Sequence, residues 1–377
     1  MKILHLIPSL NKGGAERLCL DICRELSQRE GIQVKLGVLR SNNDYTFLSE
    51  GLDIIQLDVE VKLSITSKTQ INVQALQALV DEFQPDIIHS HLFEMEVISR
   101  SINYTDAKWY SHCHDNMPQI RGLDTKTFLN KNLLTNFYER QYLLNAYKKN
   151  GGNRFIAISK DTQTYFHQQL PSFLSKNITL LHNAIDVNRF NRPINSPSPD
   201  NNILQLVSTG SLVDKKNQVF LIGVMEQLRN AGIVAHLHLL GEGANRSKIE
   251  RAINDSQLNE NCTLHGNVVN VEQFLWDSHI YLHAATYEPL GLVLLEAMAA
   301  GLPVVCLDGK GNRDLMLDGQ NGYILDKPDV DEFTAKIISL WQNKELYQSI
   351  SEYAHTFAQG FDIKIYIDKL LALYIGG

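Results

Sequence analysis

The chain has 377 residues, of which 44 % are hydrophobic and 20 % are charged, and its formal net charge is −7. This length exceeds one ordinary hydrophobic core and predicts two domains, while the acidic balance argues against nucleic acid as a partner. The apolar runs are all shorter than the ~18 residues of a membrane-spanning helix. The five cysteines lack the spacing of a zinc site. We therefore expect a cytoplasmic protein.

Short apolar runs alternate with helical patterns along the first half of the chain. Predicted strands are Lys2–Ile7, Val34–Leu39, Pro85–His91, Trp109–His114, Arg154–Ser159 and Ile178–His182, and predicted helices are Gly13–Ser27 and Asn72–Phe83. This alternation is typical of a parallel sheet with helices on both faces. Residues 1–192 are therefore predicted to form a doubly wound, Rossmann-like α/β domain.

The second half repeats this architecture after a segment rich in Pro, Ser and Asn, which predicts a linker at 193–202. Predicted strands are Leu204–Gly210, Ala235–Leu240, Thr263–His265, Ile280–Ala284 and Pro303–Leu307, and predicted helices are Gln218–Ala231, Asn245–Ile253 and Val271–Trp276. We predict a second Rossmann-like domain over 203–357 that faces the first across a cleft. The apolar spacing at the C-terminus predicts an amphipathic helix within 358–377 that returns to the first domain.

Two glutamates flank the start of a predicted helix in the second domain. Pro289 favours an extended conformation at Glu288, and good helix formers follow Gly291 from Leu292 to Ala300. Glu296 should then lie about one and a half turns inside the helix, roughly 7 Å further along the axis. The free N–H groups at that start would face an anion such as a phosphate.

Glycines and polar residues follow several predicted strands, where an α/β sheet usually binds its ligands. Gly13 and Gly14 could allow a positive φ and a close approach of backbone N–H groups to a phosphate or sugar. The other candidates are Ser211, Lys215, Lys216, Gly241, Asn267 and Val268. Lys216 and Lys215 could offer ammonium groups to a diphosphate. Tight turns and solvated loops are the alternative interpretation of each of these positions.

Histidines end two predicted strands of the first domain. His112, Cys113 and His114 suggest a metal site at first sight, but we expect His112 and His114 to point to opposite faces of their strand, and likewise His89 and His91. No metal site is therefore predicted. We expect His114 to face the ligand crevice, with a buried structural histidine as the alternative.

The segment 121–154 is basic within an acidic protein, with seven basic residues against two acidic ones and a local net charge of +5. Its apolar residues recur at helical spacing. Such a helix can lie on an anionic lipid surface. The alternative is a helix packed on the core with a solvated basic face.

Together these features resemble the retaining glycosyltransferases of family 4, which have the two-domain GT-B fold. The motifs that carry the resemblance are Gly13-Gly14-Ala15-Glu16-Arg17, Pro85–His91, Ala157-Ile158-Ser159-Lys160, His182–Asp186, Gly210-Ser211-Leu212, Lys216-Asn217, Gly241-Glu242-Gly243, Glu288 through Gly301, and Asn321-Gly322. The resemblance spans nearly the whole chain.

The resemblance implies a nucleotide-sugar donor, held mainly by the second domain and needing no cofactor or metal. It implies that Lys216 binds the diphosphate, Glu296 the ribose, and Glu288 the donor sugar or its developing charge. The backbone of Leu290-Gly291-Leu292 would hold phosphate and sugar. In the first domain, Gly14 would approach the diphosphate and His114 would contact the sugar. The acceptor would also bind to this domain.

The implied function is transfer of a sugar, from a UDP-sugar, to a hydroxyl of a glycan or lipid-linked acceptor. The role would be surface polysaccharide synthesis, in the cytoplasm or on the inner face of the membrane. One departure stands out, because Ser211 occupies a position where the family commonly has an arginine. Lys215 or Arg313 could compensate for it. Alternatives are an epimerase or phosphorylase on the same fold, or a non-catalytic nucleotide-sugar-binding protein.

Overall fold

The computed structural model of the chain describes residues 1–63, 69–122, 131–192 and 202–376. Two compact units are present, Met1–Asn183 with Ile363–Gly377, and Ala184–Asp362. Residues 184–192, which the sequence assigned to the first domain, thus group with the second unit. The predicted linker lies outside the described residues, apart from Asn202.

The first unit is built on a parallel sheet. Its strands are β1 Lys2–Ile7, β2 Gln33–Val38, β3 Ile54–Gln56, β6 Ile87–His91, β7 Lys108–Cys113, β8 Asn153–Ala157 and β9 Ile178–Leu180, and a separate antiparallel pair is formed by β4 Glu60–Lys62 and β5 Gln70–Asn72. In the part of the chain that the structure describes, the main sheet has the order β3-β2-β1-β6-β7-β8-β9. The order reverses between β1 and β6, which is the Rossmann arrangement.

Helices pack on this sheet and bury its central strands. They are α1 Gly14–Ser27, α2 Thr46–Ser49, α3 Gln74–Phe83, α4 Leu92–Ser99, α5 Lys131–Asn150, α6 Lys160–Gln169 and α7 Ser172–Ser175. A last helix of the chain, Ile363–Gly376, also packs on this unit and contacts α1. There the Tyr374 hydroxyl meets His89 Nδ1 at 2.6 Å.

The second unit has the same architecture. Its strands are β10 Leu204–Thr209, β11 Ala235–Leu240, β12 Cys262–Gly266, β13 Ile280–His283, β14 Val304–Leu307 and β15 Gly322–Leu325, and its helices are α8 Val187–Phe190, α9 Gln218–Asn230, α10 Arg246–Asp255, α11 Val271–Trp276, α12 Leu292–Ala299, α13 Val330–Gln342 and α14 Lys344–Gln359. The described strands form a parallel sheet of order β12-β11-β10-β13-β14-β15. The last helix of the chain is accordingly α15.

The observed elements match the predicted alternation, and the ends of the predicted strands and helices listed above differ by at most two residues. The elements that were not predicted are β3, the β4–β5 pair, α2, α4, α6, α7, α8, β15, α13 and α14. The short strands have too few residues for a period-two pattern to stand out. The helix α4 begins directly after β6, so that its apolar residues continue the run of the strand.

Candidate functional site

The second unit has a switch point of strand order between β10 and β13, and the ends of these strands carry the polar residues of interest. Open α/β sheets bind ligands outside the carboxyl ends of their strands at such a point. After β10 the chain passes through Gly210 and a single 3₁₀ turn, Asp214–Lys216, before α9 begins. After β13, which ends at His283, it passes through Glu288 to α12.

Lys216, His283 and Glu288 form a cluster at this switch point, in which His283 and Glu288 are buried and Lys216 is half-buried. The Lys216 ammonium contacts Glu288 Oε2, and His283 Nε2 lies 3.0 Å from the same oxygen. Glu288 is only 8 % exposed. The sequence analysis placed Lys216 and Glu288 at one site, and the structure brings them into contact. It missed His283, although a histidine that ends an apolar strand five residues before Glu288 was a usable signal.

The cluster holds Glu288 as a carboxylate. Burial raises the pKa of Glu288, but the Lys216 ammonium and the hydrogen bond from His283 outweigh it and lower that pKa to about 2. Burial lowers the pKa of His283 despite the neighbouring carboxylate. A neutral His283 therefore donates its Nε2–H to Glu288, and Lys216 supplies the positive charge of the cluster.

A glycine-containing loop fixes the backbone of Glu288. The Glu288 N–H donates to the carbonyl of Gly309 at 2.8 Å, and a Cβ on Gly311 would lie 1.9 Å from the carbonyl oxygen of Pro289. The fully buried Asn312 holds the loop, accepting from the Gly309 N–H at 2.8 Å and donating to the Leu307 carbonyl at 2.9 Å. Glu288 is thus presented by a rigid backbone.

The loops after β10 and β11 touch backbone to backbone. Gly241 has φ of +133°, and a Cβ there would meet the carbonyl oxygen of Gly210 at 2.2 Å. Gly243 has φ of +159°, and its Cβ would meet the Leu212 carbonyl oxygen at 2.4 Å. Only glycine permits both the conformation and the contact. The two glycines thus bring these loops together, and ligand binding at Gly241 stays a prediction.

The start of α12 lies where the sequence predicted it. Gly291 takes a left-handed φ of +94° as the residue before the helix, Leu292 is the first helical residue, and Leu290 is buried. Glu296 is half-buried in the middle of the helix. Burial raises the pKa of Tyr281, and the carboxylates of Glu296 and Glu288 raise it further.

The remaining donor-side candidates lie at the surface of this unit. Ser211 and Asn267 are exposed, Val268 is half-buried, and the carbonyl of exposed Lys215 accepts from the Thr286 N–H at 2.9 Å. None of the four touches the cluster in the contacts that the structure gives. They stay predictions for ligand binding.

Arg313 is engaged elsewhere in the second unit. Its guanidinium donates to Asp308 at 2.7 Å and also contacts Asp326. These carboxylates raise the pKa of Arg313 and hold its side chain. Compensation for Ser211 by Lys215 or by Arg313 stays a prediction.

In the first unit, Gly13 and Gly14 form the turn between β1 and α1. Gly13 has an extended φ of −171°, and Gly14 is the first residue of α1. Neither glycine takes a positive φ, and the approach of Gly14 to a diphosphate stays a prediction. The Gly13 backbone is held by the Tyr45 hydroxyl, which accepts from its N–H at 3.0 Å.

The histidines at the ends of two strands point in directions that differ from the prediction. The rings of His112 and His114 stack with centroids 4.1 Å apart, and those of His89 and His91 stack at 4.6 Å. The prediction of opposite faces was wrong, because side chains two residues apart on a strand point to the same face. His114 is 8 % exposed, and its Nε2 lies 2.9 Å from His91 Nδ1.

This convergence gathers nitrogen and sulfur atoms that could hold a metal ion. Among the described residues, three sets have ligand atoms within 4.8 Å of one another: His5 with Cys19 and Cys23, His5 with His89 and His91, and His91 with His112 and His114. The closest nitrogens lie 2.9 and 3.0 Å apart, which is hydrogen-bond spacing. Two nitrogens on one tetrahedral zinc lie roughly 3.3 Å apart. The absence of a metal requirement stays a prediction.

The basic segment 121–154 contains α5, and several of its basic side chains make contacts within the first unit. Arg140 donates to the carbonyls of Ile120 and Gln169 at 3.0 and 2.9 Å. The Lys148 ammonium lies over the Phe173 ring, and Lys149 contacts Asn103. These contacts favour the packed-helix alternative. Residues 123–130 lie outside the residues that the structure describes. Among the described residues, no helix is both long enough and apolar enough to cross a membrane.

Two family models match consecutive parts of the chain. The model described as Glycosyltransferase Family 4 matches residues 12–189, and the model described as Glycosyl transferases group 1 matches residues 189–357. These matches confirm the predicted family.

Curated relatives match over part of their length. The poly(glycerol-phosphate) alpha-glucosyltransferase of Bacillus subtilis is 31 % identical over 136 residues, covering 36 % of this chain and 20 % of the relative. The lipopolysaccharide core biosynthesis glycosyltransferase LpsE of Rhizobium meliloti is 27 % identical over 191 residues, covering 50 % and 53 %. The chain thus spans between a fifth and about half of these relatives.

Solved structures match over the full length. HepE of Anabaena, in complex with UDP-glucose, has a TM-score of 0.79 at 20 % identity and covers 100 % of this chain and 99 % of that one. WaaG, a glycosyltransferase involved in lipopolysaccharide biosynthesis, has a TM-score of 0.71 at 16 % identity, covering 100 % of both chains. The two Rossmann-like units are those of the GT-B fold, and the chain belongs to the GT-B glycosyltransferases of group 1.

Proposed function

We propose that this chain transfers a sugar from a UDP-sugar to a hydroxyl of a glycan or lipid-linked acceptor, with retention and without a metal ion. The cluster of Lys216, His283 and Glu288 carries the proposal, since it places a cation and an oriented carboxylate beside the N-terminus of α12. The UDP-glucose complex of HepE supports the donor class. UDP-glucose is α-linked, so a relative named an alpha-glucosyltransferase supports retention.

In the proposed reaction the bond between the anomeric carbon and the diphosphate oxygen breaks, and its electron pair leaves with the diphosphate. A new bond forms from the acceptor oxygen to the anomeric carbon, and the hydroxyl proton passes to the released diphosphate. Lys216 and the free N–H groups of α12 stabilise the leaving charge. Glu288, ionised at neutral pH, faces the positive charge that grows on the sugar.

The Lys216–Glu288 ion pair would rearrange when the donor binds. The ammonium then shifts toward the diphosphate, while His283 continues to hold Glu288. Because Lys216 supplies the positive charge that a divalent cation supplies in other transferases, transfer should persist in EDTA. Activity that EDTA abolishes and magnesium restores would contradict metal independence.

The decisive experiment compares Lys216→Ala with Lys344→Ala, using release of UDP in the presence of a glycan acceptor. Lys216→Ala should lower kcat/KM by roughly a hundredfold or more, because a donor to the developing charge is lost. Lys344→Ala is the matched control, since Lys344 is an exposed lysine of the second unit and lies outside the cluster. Equal activity in both variants would refute the role of Lys216. The anomeric coupling constant of the product tests retention.

A non-catalytic nucleotide-sugar-binding protein is the second candidate, and Ser211 favours it. An arginine there would add a fixed charge at the diphosphate, and Arg313 is committed to Asp308 and Asp326. Calorimetric binding of a UDP-sugar without transfer or hydrolysis would support this alternative. An epimerase would convert the donor with no acceptor present, which the same assay reveals.

The location of the reaction belongs to the proposal as well. We place it in the cytoplasm, where nucleotide sugars are made, and assign it to the synthesis of surface polysaccharide because relatives act there by name. Contact of the segment 121–154 with the inner face of the membrane stays a prediction.

A further inference from the structure

Three histidines from neighbouring strands of the first unit form one continuous line of hydrogen bonds. His5 Nδ1 on β1 lies 3.0 Å from His91 Nε2 on β6, and His91 Nδ1 lies 2.9 Å from His114 Nε2 just beyond β7. His5 and His91 are fully buried, whereas His114 is 8 % exposed. The line therefore runs from the core of the sheet to its carboxyl edge.

All three imidazoles are neutral in this environment. Burial, together with the neighbouring His112, lowers the pKa of His5 to about 3. Burial likewise lowers the pKa of His91 and of His114, with further lowering by neighbouring imidazoles. A neutral imidazole has one N–H donor and one acceptor nitrogen.

Three neutral imidazoles in this line can arrange their N–H donors in only two ways. His91 uses both of its nitrogens, so it donates on one side and accepts on the other. In the outward state His5 donates to His91, His91 donates to His114 Nε2, and His114 carries its proton on Nδ1. In the inward state every donor is reversed, and His5 carries its proton on Nε2.

The inner end of the line selects between these states. His5 Nε2 has no hydrogen-bond partner among the described residues. In the inward state that nitrogen would be a buried N–H without an acceptor, whereas in the outward state it is only a lone pair. Orphaned buried N–H groups are the rarer case in proteins. The nearby Cys19 and Cys23 suit a lone pair, because burial raises the pKa of Cys19 and keeps it a thiol, a weak donor.

We propose that His5 and His91 are positioning residues which hold His114 in its Nδ1–H tautomer, so that His114 presents a hydrogen-bond donor to an oxygen of the substrate. The inference rests on the proposed function and on the sugar contact that the family resemblance implies for His114, but the tautomer itself is a property of the protein alone. In water the histidine side chain prefers the Nε2–H tautomer, and the line of hydrogen bonds thus reverses an intrinsic preference.

The first test measures the tautomer in the whole chain labelled with ¹⁵N-histidine. Couplings between ring nitrogens and ring protons identify which nitrogen carries the proton, and the His114→Gln variant assigns the His114 signals. We expect the Nδ1–H form at both His114 and His91. An Nε2–H form at His114 in the wild-type protein overturns the proposal, whatever the variants do.

The second test uses a pair of variants at the middle of the line. His91→Phe removes the donor to His114, so the Nδ1–H signal of His114 should fall and kcat should drop roughly tenfold, the loss expected for one hydrogen bond. His91→Asn offers an amide N–H near the position of Nδ1 and should restore both. His112→Phe is the control, because His112 stacks on His91 and His114 but lies outside the line.

These measurements distinguish a failure of the positioning role from a failure of the proposed function. The Nδ1–H tautomer in a protein without transferase activity would leave the positioning intact and refute the proposed function. Active protein whose His114 tautomer is unchanged by His91→Phe would refute the positioning role and leave the function standing.

Discussion

Acid should remove a defined part of the stability that Glu288 gives the second unit. Its folded pKa of about 2 lies below the ordinary value of 4.5 because of Lys216 and His283. A depressed folded pKa stabilises the protein above the unfolded pKa, and this contribution disappears as the pH falls toward the folded pKa. A shift of roughly 2.5 units corresponds to about 3 kcal/mol at pH 7, of which about 2 kcal/mol is lost by pH 3.

The perturbation is Glu288→Gln, which keeps the shape of the side chain and removes its charge. The free energy of urea unfolding is measured for both proteins at pH 7 and pH 3. Other carboxylates titrate equally in both proteins, and so they cancel in the difference between them. We expect the free energy of unfolding of the wild-type protein to exceed that of the variant by about 3 kcal/mol at pH 7 and by about 1 kcal/mol at pH 3.

The comparison can be read on the second unit, which contains Trp276 and Trp341 as fluorescent reporters. A stability gap that stays constant between pH 7 and pH 3 would refute the depressed pKa of Glu288. So would a variant as stable as wild type at pH 7. Either result would mean that Lys216 does not hold this carboxylate in the folded protein.

Other predictions address the loops and the surface. Gly311→Ala should lower the melting temperature of the second unit, because its Cβ would meet a backbone oxygen at 1.9 Å, whereas Gly223→Ala in the helix α9 should raise it slightly; equal shifts would refute the loop argument. Ser211→Arg should tighten binding of a UDP-sugar severalfold in calorimetry, since the exposed position accepts a guanidinium. An unchanged Kd would count against a diphosphate site there. If the segment 121–154 meets lipid, the protein should sediment with anionic but not neutral vesicles at low salt, and Lys148→Glu should weaken this.

Much of the second-unit site was predictable because its determinants are local. The order of Glu288, Pro289 and Gly291 before a run of helix formers predicts a carboxylate in a loop and a helix start within a few residues. The structure has both at these positions. Lys216 was predictable as a basic residue beyond a strand, but its contact with Glu288 was not, since 72 residues separate the two positions. The sequence also indicated the family, which the two family models confirm.

The histidines show where local patterns stop being sufficient. That His89 and His91 share a face follows from the period of a strand, and the expectation to the contrary was an error about that period. That His5 and His114 lie in the same line is different. It depends on β6 lying between β1 and β7 and on the register that pairs His5 with His89 and His91 with His112.

The amino-acid sequence by itself determined the alternation of strands and helices, the two-unit organisation and the loops in which Glu288 and Lys216 lie. These follow from residue spacing, proline and glycine, which act over a few residues. Only the tertiary structure decided that Lys216, His283 and Glu288 share one cluster, and that three imidazoles join in one line. Strand order and register arise from packing between distant segments, and side chains from different strands meet only once the sheet has formed.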